Sequence, residues 1–156
     1  MNAGFASAQS VSPSRLGAAW IAHCLALALH VTDEALTGFL TVYNPTVLAI
    51  RPAGWWFPPV FAFGEWLTGL ICLVVILLGL SPFFFRGVRW VRPIGYFFGV
   101  INILNAMGHI TGTIFGQTVA SVHFARPMPG FYSSPFLLAA SIYLLMRLSA
   151  TRRSGN

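Results

Sequence analysis

All three carboxylates of this chain, Asp33, Glu34 and Glu65, fall inside apolar stretches long enough to cross a bilayer. A charged side chain near the bilayer centre costs roughly 2.5 to 3.5 kcal/mol on insertion scales, so three without a role would cost about 8 to 10 kcal/mol. Acids so placed are expected to face the interior of a helix bundle, to be paired, and to mark a site. Two of the four histidines, His30 and His109, lie in comparable stretches.

The rest of the composition fits a lipid solvent. Hydrophobic residues make up 56% of the chain and charged residues 8%, with a mean hydropathy of +0.75. Those values exclude a soluble domain with a polar surface. The apolar runs predict four helices at about 16–43, 58–80, 94–118 and 133–150, in a single domain over 1–156. The expected fold is an all-α integral membrane four-helix bundle.

The basic residues give its orientation. All nine are arginine, and Arg15, Arg86, Arg89, Arg92, Arg147, Arg152 and Arg153 fall at the N-terminus, the middle loop and the C-terminus. Only Arg51 and Arg126 occupy the other two loops. By the positive-inside rule both termini face the cytoplasm, in a multi-pass protein of the cell membrane. The net charge of +6 then reflects orientation and contact with membrane lipid, and no interleaved basic and aromatic motif points to nucleic acid. Trp55 and Trp56, ahead of Pro58 and Pro59, are expected as outer aromatic anchors and Trp90 as an inner one, with 81–93 a short interfacial turn. A cleaved signal peptide ending near Ala26-Leu27-Ala28 is the rival reading of the first helix. It is disfavoured because the apolar pattern continues through Leu36, Phe39, Leu40 and Val42.

Helical periodicity gathers the polar groups. His23, His30, Glu34, Thr37 and Thr41 form one stripe on the first helix, with Asp33 at its edge, about 60° from His30. Asn102, Asn105, His109, Gly112 and Gly116 fall within a sector of roughly 80° on the third. Counted from the outer helix ends, His30, Glu34, Glu65 and His109 share a layer about 10 to 14 Å deep. His30, Glu34 and Glu65 are therefore expected to touch across antiparallel neighbours. His23 reads as a packed histidine and His123 as a solvated one. Cys24 and Cys72 read as small packing residues, without any CxxC spacing. Glycines spaced four apart, Gly95 with Gly99 and Gly108 with Gly112 and Gly116, allow close backbone approach, within the bundle or in a homo-oligomer.

The segment His30-Val31-Thr32-Asp33-Glu34 resembles the motif of the HXXEE family, small membrane proteins of uncharacterised function, with Asp in place of the first acid. The family's further histidine is matched by His109. Its YxPG motif is matched by Pro127-Met128-Pro129-Gly130, which keeps the Pro-Gly and replaces the tyrosine. The resemblance spans the chain from the first helix to the start of the fourth. It implies the architecture and the importance of the site, and it supplies no reaction. Pro129-Gly130 by itself reads as a turn before the last helix.

Two chemistries suit the residues. In the first, His30, Glu34, Glu65 and His109 ligate a divalent metal such as Zn, Fe or Mn, while Asn105, Asn102 or Asp33 orients a histidine. The chain has no HExxH, so a zinc protease is not supported. In the second, Glu34 and Glu65, with Asp33 nearby, form a metal-free acid–base pair acting on a lipophilic small molecule of isoprenoid or sterol-like type. The types of residue involved are similar to those of emopamil-binding-type sterol isomerases. A third class, a proton-coupled transporter or a subunit of a membrane complex, needs neither.

Overall fold

The computed structural model describes residues 13–153, and the fold is mostly helical. α1 runs over Pro13–Thr37, α2 over Leu40–Ile50, α3 over Phe63–Gly79, α4 over Ser81–Phe85, α5 over Arg92–Phe115 and α6 over Ser134–Arg153. A two-stranded antiparallel hairpin, β1 (Gln117–Val119) and β2 (Val122–His123), follows α5. Three stretches, Ser14–Thr37, Phe63–Phe85 and Arg89–Phe115, are long and apolar enough to cross a membrane, and α6 carries a shorter apolar run, Ser134–Ala150.

Several boundaries differ from expectation for identifiable reasons. The first helix stops at Thr37 because Gly38 takes a left-handed φ of 78°, where glycine pays no Cβ penalty. The chain then restarts as α2, so the expected 16–43 helix is two helices with Phe39 at the joint. α3 begins at Phe63 rather than 58. Pro58 and Pro59 offer no backbone donor and bias the residue before them away from helix. The segment before α3 is held outside the helix by side chains of α2. Asn44 exchanges hydrogen bonds with the Phe61 backbone at 2.9 and 3.1 Å, and the Tyr43 hydroxyl donates to the Pro59 carbonyl at 3.1 Å. α5 ends at Gly116, with φ 72°, and the hairpin replaces the last expected helical residues.

α6 packs along both α1 and α5, while α3 and α4 cover another face of α1. The pairing runs antiparallel. His30 meets Ser133 at the start of α6, and His23, two turns earlier on α1, meets Ser141. On α5, a Cβ at Gly99 would lie 2.6 Å from Leu145, and one at Gly95 would lie 2.9 Å from Leu148. The expected glycine face at Gly95 and Gly99 is thus filled by α6 of the same chain, the within-bundle packing that the spacing allows. Gly112 is likewise covered, by Met128, whereas Gly108 has open space beside it.

Trp20 anchors the contact of α1 with α3 and α4. Its ring stacks on Phe84 at 3.9 Å between centroids, and its indole N–H donates to the Leu77 carbonyl at 2.9 Å. His23, fully buried beside it, is paired with Asn102 at 3.0 Å and Ser141 at 3.2 Å. It is a satisfied core histidine, as expected, and this contact absorbs Asn102. Cys24 is buried and Cys72 exposed. Trp55, Trp56, Trp90 and His123 are exposed.

Candidate metal centre

His30, Glu34 and His109 are all buried and converge on one point, each offering a ligand atom within 4.8 Å of the others. The geometry follows from local structure. His30 and Glu34 are one turn apart on α1 and so share a face. His109 arrives from α5, parallel to α1, at the same depth. Glu34 Oε1 lies 3.4 Å from His30 Nε2 and 3.0 Å from His109 Nε2. The two rings meet edge to face, with centroids 4.7 Å apart.

The other ring nitrogens are already engaged, and their partners fix the tautomers. A backbone carbonyl can only accept, so the His109 Nδ1–H donates to Pro129 O. The Asp33 carboxylate also only accepts. It takes both the backbone N–H and the hydroxyl of Ser133, each at 2.8 Å. With its proton directed to Asp33, Ser133 Oγ accepts from the His30 Nδ1–H at 2.8 Å. Both imidazoles therefore carry their proton on Nδ1. Their Nε2 lone pairs face the same carboxylate oxygen, with the Asn105 amide 3.1 Å from His30 Nε2. The Asn105 N–H donates to the His30 lone pair, whereas the His109 lone pair and the carboxylate repel one another in a buried pocket unless a cation lies between them. That cation is either a proton or a metal ion.

The spacing suits a metal. Ligands at about 2.0 to 2.2 Å from a tetrahedral ion stand about 3.3 to 3.5 Å apart, close to the separations of Glu34 Oε1 from the two imidazoles. His30, Glu34 and His109 could therefore hold a metal ion, with their Nδ1 protons on fixed acceptors, as is usual for metal-binding histidines.

Not every expected member is present. Glu65 stands apart. It is exposed in the first turn of α3, where its Oε2 accepts from the Ala62 N–H at 3.3 Å. The late start of α3 is the reason. With residues 58–62 outside the helix, Glu65 lies in the first turn instead of two turns deep, and a carboxylate at a helix N-terminus is favourably placed. The expected contact of Glu65 with His30 and Glu34, whether as a ligand or as the second acid of a pair, is therefore not formed. Asp33 reaches the site only through Ser133, at the N-terminus of α6. Thr41, past the break, bonds back to Gly38 O at 2.8 Å and leaves the stripe.

Two contributors lie beyond what helical periodicity could select. Ser133 is one, since nothing in its surroundings announces a bond to an acid 100 residues earlier. The Pro129-Gly130 turn is the other. It is a turn, as expected, and also a wall of the site. Gly130, at φ 83°, packs so closely that a Cβ would lie 2.7 Å from His109 Cε1 and 2.9 Å from Glu34 Cγ. Its N–H donates to Thr37 Oγ1 at 3.1 Å. Phe39, at the joint between α1 and α2, lies against His109 with centroids 5.4 Å apart, and Trp66 packs behind Phe39. No protein-family model, curated protein or solved structure matches this chain.

Proposed function

We propose that His30, Glu34 and His109 bind a divalent cation, Zn, Fe or Mn, in the outer half of a membrane that the chain crosses four times with both termini cytoplasmic. One observation carries the reading: two imidazoles whose Nδ1 atoms lie on fixed acceptors direct their Nε2 atoms at one carboxylate oxygen. Two nitrogens and one oxygen leave coordination positions open, the arrangement of sites that activate water or polarise a bound oxygen. The site is thus suited to chemistry on a lipophilic substrate. Four crossings are supported by the three long apolar spans together with the shorter α6, and the orientation by the arginine distribution. The resemblance to the HXXEE family supports the same centre, because its retained elements, His30, Glu34, His109 and Pro129-Gly130, are the ones that meet.

The metal content of protein purified in mild detergent tests this. Mass spectrometry is expected to find close to one ion per chain. A folded chain without metal sinks the reading in favour of a shared proton. That second reading has its own support, since 3.0 Å between His109 Nε2 and Glu34 Oε1 is also the length of a charge-assisted hydrogen bond. Its acid–base pair would be Glu34 with His109, since Glu65 stands apart.

The link from Ser133 to His30 gives a graded test. Ser133→Ala removes the acceptor that holds His30 Nδ1–H and should weaken metal binding about 10- to 100-fold. Competition with a chromogenic chelator measures it. Unchanged affinity would mean that the Asp33–Ser133 pair serves α6 alone.

A further inference from the structure

Beside the His/Glu centre, a cavity of about 390 Å³ opens between α2 and α5, bounded below by β1 and Met128. Its size is within the range of small-molecule sites. His109 and Asn105, which bonds His30, belong both to the centre and to the cavity wall, so an occupant would lie against one of the residues that hold the ion. The wall also carries Thr46, Thr118 and Gln117, whereas none of its fourteen residues is Asp, Glu, Lys or Arg. At the rim, Leu104 is 63% exposed and Phe115 70% exposed. Both lie on a stretch of α5 long and apolar enough to cross a membrane. The mouth is therefore apolar and at membrane depth.

We infer that this cavity takes a neutral lipophile bearing one oxygen function, a hydroxyl or carbonyl, which enters sideways from the bilayer between α2 and α5 and turns its oxygen toward His109. The inference rests on the proposed function for what the oxygen meets, but its own basis is the lining. The wall threonines are bonded within the protein and the Asn105 N–H to His30, so a pure hydrocarbon would cover the Gln117 amide and the Asn105 carbonyl oxygen without satisfying them, which costs binding. A phosphate would bring about two negative charges to a wall with no arginine or lysine, next to a carboxylate that already offsets part of the ion's charge. A neutral oxygen satisfies both constraints, while the exposed leucine and phenylalanine accept the chain. The second apolar groove, between α1 and α3 around Ile71 and Val75, lacks polar groups beyond Thr32 and lies away from the centre.

Three probes with one carbon skeleton separate the terms: farnesene, farnesol and farnesyl monophosphate, assayed by equilibrium binding to the detergent-purified protein, with metal content measured on each sample. Farnesol is expected to bind at least 10-fold more tightly than either of the others. Gly108→Leu fills the cavity from a position with open space beside it. Leu104→Trp obstructs the rim. Each should weaken farnesol at least 10-fold while the metal is retained, and Ile71→Trp, in the other groove, should change neither. Equal binding of the three probes overturns the inference, as does loss of farnesol binding in Ile71→Trp with Gly108→Leu and Leu104→Trp unaffected. A metal-free wild type that still binds farnesol in this cavity leaves the inference standing and removes the metal from the proposed function. A metal-loaded protein without preference for farnesol does the reverse.

Discussion

Glu34→Gln is expected to empty the metal site while leaving the fold intact. Glu34 Oε1 is the atom both imidazoles face, and it supplies the anion of the ligand set. A neutral amide of the same shape leaves two nitrogen ligands and a buried divalent charge without its counter-ion. The loss should exceed the roughly 10- to 100-fold cost of removing an orienting residue, so metal retained through purification should fall from near one per chain to background. The same amide can donate its N–H groups to the lone pairs of His30 and His109, which satisfies them. The metal-free variant should therefore insert, purify and melt like the metal-free wild type. Glu65→Gln is the control. Its carboxylate faces outward at the start of α3, so metal content should not change. Metal retained in Glu34→Gln, or lost equally in Glu65→Gln, would refute this centre.

Gly130→Ala should damage both stability and the site. The residue has a φ of 83°, a region that costs a residue with a Cβ about 1 to 2 kcal/mol. The new methyl would also lie within 3 Å of His109 and Glu34, and forcing extra bulk into a packed interior adds about 1 to 3 kcal/mol. The strain can relax only by moving the Pro129-Gly130 turn away, which withdraws the carbonyl that holds His109. A loss of about 2 to 5 kcal/mol is expected, seen as a thermal midpoint lower by roughly 10 °C, together with weakened metal retention. Gly54→Ala separates the two terms. Gly54 has φ 82° but nothing within 4 Å, so it should show the backbone cost alone and keep its metal. If Gly130→Ala behaves like Gly54→Ala, the turn does not press on the site.

These two variants also show how much of the centre was legible in advance. His30, Glu34 and His109 could be selected from the sequence because helical periodicity is fixed by the backbone, and an ionisable group in an apolar run has few places to face. Glu65 does not join them, because the prolines at 58 and 59 do not open the helix. It begins at Phe63, after a backbone segment held outside the helix by the Asn44 side chain and the Tyr43 hydroxyl. That contact spans about 17 residues and has no local signature. The joint at Gly38 is similar. Glycine permits a left-handed turn at that position and does not require one.

The sequence by itself determined that the chain is apolar and helical, where its arginines fall, and which face of α1 and of α5 carries the polar groups. These are consequences of composition and of the helical repeat, which need no partner. Only the tertiary structure decided that α6 lies along both α1 and α5, so that Leu145 and Leu148 fill the glycines of α5. The same placement sets Ser133 against Asp33 and His30, and sets the Pro129 carbonyl against His109. The physical reason is that hydrogen bonds and close packing between residues from 20 to 103 apart in the chain depend on which helices become neighbours. No local propensity encodes that choice, whereas the charge placed within an apolar run signals that some partner must be found.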